Sequence, residues 1–261
     1  MNPSRLYDAY VAERFDEDPF DLYRECREMA VGQIRRNLGQ GPVRVADLGC
    51  GTGELLMALA SIYPQASLCG IDGSEKMLRI ARAKLVSVPA SRIRFCHDDL
   101  LHLERHVEPS GLDLATLHFV LARLDNRKLL SLVHRALRPG GWCSLATATH
   151  GTFPTLRSLG SAFLSEEFIR SSSNVPQNRD DLRELLRESG LEVVEESVHR
   201  KSIRLTDFDE LRDFILHSGW FPHPIIEDLP DQEINRYREL CQPFLPIEDT
   251  AEKFVFLARK V

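Results

Sequence analysis

The six cysteines, Cys26, Cys50, Cys69, Cys96, Cys143 and Cys241, include no CxxC pair, and no histidine or cysteine spacing suits a metal ion, so no metal site is expected. Cys50, Cys69, Cys96 and Cys143 fall in or beside apolar segments, where cysteine serves as a small apolar residue. The sequence also lacks any run of about 18 apolar residues, which argues against a membrane partner. Its first residues carry no apolar stretch of signal-peptide type, so a cytoplasmic setting with reduced thiols is expected. Internal repeats and low-complexity tracts are missing. So is any long basic tract. Net charge is −6, and the densest basic spots, Arg35-Arg36 and His199-Arg200-Lys201, are short and read as solvated surface. A nucleic-acid partner, which needs a basic face, is not expected.

Apolar material is ample. Of 261 residues, 43% are hydrophobic and 28% charged, enough for one large α/β domain or for one domain with a small appended lid. Residues 1–40 read as amphipathic helix, with Leu22, Cys26, Met29 and Ile34 at helical spacing, until Gly39-Gln-Gly-Pro42 breaks the chain. Strands and helices then alternate. Strands are predicted at 43–48, 67–71, 93–96, 112–117 and 142–147, and helices at 54–63, 74–86 and 126–137. That order implies parallel βαβ units. Beyond it, residues 151–179 read as loops and short helices, 180–189 as a helix, 191–198 as a sixth strand, 206–245 as a helical insertion rich in aromatics and prolines, and 254–258 as a last strand.

The chemistry concentrates at the ends of the early strands. The first strand runs into Asp47-Leu-Gly-Cys-Gly-Thr-Gly53. Gly49, Gly51 and Gly53 allow a sharp turn and close approach to a ligand, and the next helix aims its N-terminal amides there. The spacing G-x-G-x-G, followed by Glu54, departs from the G-x-G-x-x-G of dinucleotide sites. An acid beside a pyrophosphate is repelled, whereas Asp47 can pair with the ammonium of an amino-acid ligand. Asp72 closes the second strand in Gly-Ile-Asp-Gly-Ser, where a carboxylate accepts from both ribose hydroxyls. Asp98 follows the third strand, in Cys-His-Asp-Asp-Leu, and can accept from an adenine amino group. Three such signals on successive strands point to S-adenosylmethionine rather than NAD.

These segments resemble the class I S-adenosylmethionine-dependent methyltransferases over residues 43–147: Val45-Ala-Asp-Leu-Gly-Cys-Gly-Thr-Gly53, Gly70-Ile-Asp-Gly-Ser74, Cys96-His-Asp-Asp-Leu100, Leu112-Asp-Leu-Ala-Thr-Leu-His118 and Leu137-Arg-Pro-Gly-Gly141. The resemblance implies an α/β fold: a Rossmann-like seven-stranded sheet of order 3-2-1-4-5-7-6 with the seventh strand antiparallel. It implies S-adenosyl-L-methionine as cofactor, S-adenosyl-L-homocysteine as product, and a monomer or homodimer. The implied cofactor contacts are Asp47, Gly49, Cys50, Gly51, Gly53, Asp72, Gly73, Met77, Asp98, Asp99, Leu117 and His118. A looser likeness, in Ala146-Thr-Ala-Thr-His-Gly-Thr-Phe-Pro-Thr-Leu156 and in the late helical insertion, is to the carboxyl O-methyltransferases acting on malonyl-acyl-carrier protein and on trans-aconitate. Three parts are therefore expected: a helical cap over 1–40, a cofactor-binding core over 41–205 and 246–261, and a helical lid over 206–245. In such enzymes an aromatic–Asp pair helps to close the cofactor pocket, and both Tyr7-Asp8 and Phe15-Asp16 qualify.

The acceptor side is less defined. His118, at the end of the fourth strand, and Arg123, just beyond it, are the candidate catalytic residues. Tyr7, Tyr10, His150, Phe153, Arg157, His217 and Trp220 are candidates for the acceptor pocket. A carboxylate acceptor needs a cationic clamp and no base, while a phenol, alcohol or amine makes a histidine base useful. Methylation of a small-molecule or carrier-bound carboxyl group is the favoured expectation. N- or O-methylation of a specialised metabolite by a His base is the alternative, and a catalytically silent subunit of the same fold is the non-enzymatic one. Leu117-His-Phe-Val120 stands where nucleic-acid methyltransferases carry an Asn/Asp-Pro-Pro-aromatic tetrad.

Overall fold

The computed structural model describes residues 3–41, 43–121, 124–163, 175–220 and 230–261. Its centre is a seven-stranded sheet: β1 (Arg44–Leu48), β2 (Ser67–Asp72), β3 (Ile93–His97), β4 (Leu112–His118), β5 (Leu137–Ala148), β6 (Leu191–Leu205) and β7 (Ile247–Lys260). Their order is β3-β2-β1-β4-β5-β7-β6. β1 to β5 are parallel, and β7 runs antiparallel to both β5 and β6. The order of the sheet reverses between β1 and β4, and the carboxyl ends there form the crevice where such sheets bind ligands.

The helices follow from apolar spacing and from caps. α1 (Pro3–Leu6) continues as a π-helical turn over Tyr7–Val11. α2 (Leu22–Asn37) buries Leu22, Cys26, Ala30, Gln33 and Ile34, one stripe at three- and four-residue steps. The Asp18 carboxylate accepts the amides of Leu22, Tyr23 and Arg24 and thereby starts that helix. Ser74 caps α4 (Glu75–Lys84) by accepting the Met77 amide, and Asp125 caps α5 (Asn126–Ala136) by accepting that of Lys128. α3 (Glu54–Ile62) begins directly at Gly53. α6 is Pro154–Phe163, α7 Arg179–Glu188, α8 Phe208–His217 and α9 Asp231–Cys241.

Two apolar layers sandwich the sheet. One face packs Leu48, Ile71, Leu117 and Leu145 against α5 and α7 through Leu129, Val133, Leu182 and Leu186. The other packs Val45, Leu68 and Leu114 against α2, α3 and α4 through Ile34, Leu56, Leu59 and Leu78. Strands buried on both faces read as continuous apolar runs, which is why β1, β2 and β4 are plain in the sequence.

The late strands differ from expectation. β6 extends to Leu205 rather than 198, and β7 begins at Ile247 rather than 254. The two pair from Leu191↔Lys260 to Leu205↔Ile247, with one register shift between Val193 and Glu195. Their outer halves cover a separate cluster, Ile203, Leu205, Ala251 and Ile247 against Phe208, Leu211 and Phe214, while Ser202 and Arg204 face solvent. Arg138-Pro-Gly-Gly141, which falls between the predicted helix 126–137 and strand 142–147, is drawn into β5, with a register shift between Leu112 and Leu114 of its neighbour.

Candidate active site

The turn after β1 is built by backbone constraint. Gly49 and Gly53 adopt φ values of +77° and +81°, the left-handed region. A Cβ on Gly49 would collide with Val120 Cγ1, and one on Gly53 would lie 2.8 Å from Leu85 Cδ1 and 3.0 Å from Ala81 Cβ. Glycine is thus required at 49 for the approach of the β4 loop and at 53 for packing α3 on α4. The amides of Gly49 and Cys50 both donate to the Ile71 carbonyl, at 2.8 and 3.1 Å.

Asp72 joins the turns after β1 and β2. Its Oδ2 accepts the Gly51 amide at 2.8 Å and its Oδ1 the Ser74 amide at 2.9 Å. Asp47 is 2% exposed and accepts a 2.6 Å hydrogen bond from Thr116 Oγ1. Burial pushes its carboxyl up to about 7, with the nearby Asp72 charge adding to the rise and the Thr116 bond opposing it. Asp98 already has company: His102 Nδ1 lies at 2.9 Å, His106 Nε2 at 2.8 Å and Arg105 at 3.7 Å. The hydrogen bonds with His102 and His106 hold its carboxyl well below the ordinary range. Asp99 turns away to accept the Leu101 amide and start the 3-10 helix Leu100–Arg105. Of the expected contacts, Asp47, Gly49, Cys50, Gly51, Gly53, Asp72 and Gly73 gather around the β1 and β2 ends, with Leu117 and His118 beside them on β4. Met77 is buried beneath Val11, Ala12, Tyr7, Tyr10 and Phe15.

Glu54 bears on ligand choice differently from expectation. Lys84 Nζ lies 2.6 Å from one of its oxygens and Arg27 3.4 Å from the other. Its charge is compensated, so the electrostatic argument against a pyrophosphate rests on Asp47 and Asp72.

Both aromatic–Asp pairs reach the turns after β1 and β2. Asp8 accepts from Ser74 Oγ at 2.5 Å and from the Lys76 amide at 3.1 Å. Asp16 accepts from Thr52 Oγ1 at 2.6 Å and pairs with Lys84 Nζ at 2.6 Å. Replacing Asp16 with alanine should weaken S-adenosylhomocysteine binding several-fold, as for one lost hydrogen bond of about 1 kcal/mol. Calorimetry with the variant tests this, and a change below twofold would detach Asp16 from cofactor closure.

His118 Nε2 sits 3.1 Å from Ser144 Oγ on β5. Burial lowers its imidazole to about 3, and the positive charge of Arg27 adds to the drop. Around it the insertion meets the N-terminal helices. Tyr23 Oη donates to the Ser218 carbonyl at 2.8 Å, Tyr7 Oη to that of Gly219 at 3.2 Å, and His217 Nδ1 to that of Tyr10 at 2.7 Å. Arg14 bridges to Asp213. Trp220 stacks on Tyr23 at 5.3 Å and meets Phe119 at 5.4 Å and Phe153 at 5.3 Å. Each aromatic pair adds about 0.5–1.5 kcal/mol beyond burial. Phe119 and Phe153 hold φ values of +61° and +53°, which cost about 1–2 kcal/mol each for a residue with a side chain.

The structure thus gathers Tyr7, Tyr10, Phe153, His217 and Trp220, with Arg157 one turn beyond Phe153, its amide donating to the Phe153 carbonyl. The His150 amide donates to the Pro176 carbonyl, and Arg157 Nε donates to the Thr152 carbonyl at 2.8 Å. Arg123, Phe221, Pro222 and His223 lie outside the described residues. Sequence reasoning missed Tyr23, Arg27, Phe119, Ser144 and Lys253. Only Lys253 left a signal there, as a lysine among the inward positions Ala251, Val255 and Leu257 of an apolar strand.

Comparison with known proteins agrees with the β1–β5 geometry. Residues 45–141 match the methyltransferase domain family. The chain is 28% identical over 220 residues to a demethylmenaquinone methyltransferase of Lactococcus lactis, covering 76% of this chain and 86% of that protein. It is 26% identical over 185 residues to a malonyl-[acyl-carrier protein] O-methyltransferase of Priestia megaterium, covering 70% and 62%. A tRNA (guanine-N(7)-)-methyltransferase of Rubrobacter xylanophilus is 33% identical over 135 residues, covering 48% and 60%. Except for the first, the chain thus spans less than two thirds of these relatives. In fold it is similar to a putative methyltransferase of Bacillus halodurans, with a TM-score of 0.62 and 18% identity over 89% of this chain and 99% of that one. Residues 45–141, set in the seven-stranded sheet described above, are thus a methyltransferase domain of the S-adenosylmethionine-dependent kind.

Proposed function

We propose that the enzyme methylates the carboxyl oxygen of a small-molecule or carrier-bound acid, with residues 1–40 and 206–245 serving as cap and lid over a core of 41–205 and 246–261. S-adenosylmethionine supplies an electrophilic methyl on its sulfonium, and the residues present suit that cofactor: an acid for its ammonium at Asp47, an acceptor for its ribose at Asp72, and a glycine turn for its methionine part. What the chain must add is a bound, aligned nucleophile and exclusion of water.

The depressed imidazole of His118 carries the choice of acceptor. A base that protonates only near pH 3 is too weak to take a proton from an amine or phenol at neutral pH, because general bases work best with values near the working pH. A carboxylic acid, ordinarily titrating at about 4, is already anionic there and needs no base. The charge of Arg27 reaches His118 and adds to the positive field there, though Arg27 also pairs with Glu54. The trans-aconitate 2-methyltransferase of Deinococcus radiodurans, 32% identical over 129 residues covering 49% of this chain and 46% of that protein, supports the same reading. The net charge of −6 favours a small or carrier-bound acceptor over nucleic acid.

The test is the product. Radiolabelled methyl groups transferred to an acid should be released as methanol by mild alkali, and His118→Ala should lower kcat less than about tenfold. A methyl group stable to alkali, or a loss of about 100-fold or more as expected for a deleted base, would overturn the reading.

A further inference from the structure

Lys253 is 0% exposed in the middle of β7. Lysine is almost never enclosed without a counter-charge, because a desolvated ammonium is costly unless paired. Among the described residues its Nζ has one hydrogen-bond partner, the Leu22 carbonyl at 2.8 Å. An ammonium has three donors, so two find no acceptor there. The nearest acids are engaged. Asp18 accepts three α2 amides, and Glu25 pairs with Lys201 at 2.8 Å and His199 at 2.6 Å. Burial lowers the ammonium from its ordinary value.

Its location gives that cost a use. Lys253 faces Ala148, the last residue of β5, across the ladder. On β7 it lies between Ala251, which packs in one cluster with Leu22 and Phe153, and Val255, which packs in another with Ala146 and Phe119. Those clusters meet at Trp220, which touches both Phe119 and Phe153. Trp220 Nε1 is itself buried with no hydrogen-bond partner among the described residues. Lys253, between Ala251 and Val255 on β7, and Trp220, against the Phe153 and Phe119 of their two clusters, are therefore buried donors with capacity to spare, linked through those clusters. The complementary ligand carries anionic oxygens on an apolar body.

We propose that Lys253 and Trp220 Nε1 form a subsite that binds a carboxylate of the methyl acceptor beneath the aromatic cluster. The subsite rests on the acid-acceptor reading above, but it holds whether the bound carboxylate is the one methylated or a second one.

Binding of phenylacetate and octanoate, each compared with its primary amide, to the enzyme saturated with S-adenosylhomocysteine tests the subsite by calorimetry. The wild type should prefer each acid at least tenfold. Lys253→Met should bring that ratio near one, and Trp220→Phe should lower it several-fold, with S-adenosylhomocysteine affinity in both variants within about twofold of wild type. No preference in the wild type, or an undiminished preference in Lys253→Met, overturns the subsite. If Lys253→Met cannot bind S-adenosylhomocysteine, the Trp220→Phe ratio decides in its place. Acid preference combined with an alkali-stable product would sink the carboxyl-methylation reading alone, and ester formation indifferent to Lys253→Met would sink the subsite alone.

Discussion

Asp72→Ala should weaken S-adenosylhomocysteine binding by about 100-fold or more while leaving the protein folded. Two effects combine. The carboxylate holds the Gly51 and Ser74 amides, so its removal frees the glycine turn from the β2 turn. It is also the proposed acceptor for both ribose hydroxyls. Hydrogen bonds to a charged group are worth about 1.5–3 kcal/mol each, and 1.4 kcal/mol is tenfold in affinity. Two such bonds therefore account for about 100-fold before any loop disorder. Asp72→Asn keeps one acceptor oxygen and should cost nearer tenfold. Calorimetry measures both. An Asp72→Ala affinity within threefold of wild type would remove Asp72 from the cofactor site.

Cofactor affinity should also rise about tenfold per pH unit from pH 5 to about 7, then level off. The ligand-free protein holds Asp47 protonated below about 7 because burial penalises its charge. Pairing with the ligand ammonium needs the ionised form, so binding in that window must release one proton. The ligand-free protein shows the opposite trend. Its Asp47 value lies above the ordinary 3.8, so the folded state binds the proton more tightly than the unfolded one. That stabilisation is complete below pH 3.8 and lost as pH rises towards 7. At 1.36 kcal/mol per unit it amounts to about 4 kcal/mol. The rise in Tm on adding S-adenosylhomocysteine should therefore grow from pH 5 to 7. Asp47→Asn should flatten both profiles. Profiles that keep their slopes in that variant would assign the titration to another group.

What the sequence made legible and what it hid divide along physical lines. β1, β2 and β4 are buried on both faces, so their apolar runs stand out, and the glycine turn sits at a position that any parallel sheet of this order exposes. The outer halves of β6 and β7 were missed because Arg200, Lys201, Arg204, Glu248 and Glu252 interrupt them. The alternation of Ile203 and Leu205 with Ser202 and Arg204 was there, but over too few residues to separate strand from loop. The acceptor side was hidden for a stronger reason. Tyr7 meets Gly219 across 212 positions, Tyr23 meets Ser218 across 195, and Lys253 meets Leu22 across 231. No local periodicity encodes such pairs. Charge reasoning also misjudged Glu54, whose partners Lys84 and Arg27 come from two other helices.

The β6–β7 ladder ends at the pair Leu205↔Ile247, so the chain leaves for the insertion and returns at points one strand spacing apart, about 4.8 Å. An excursion with clamped ends adds little closure cost as it lengthens, about 0.6 kcal/mol per doubling. Residues 206–246 are in effect a cassette. On the proposed reading, in which residues 206–245 cover the acceptor, such an insertion lets acceptor preference change along a lineage while the proposed methyl-donor half, Asp47, Asp72 and the glycine turn, stays the same.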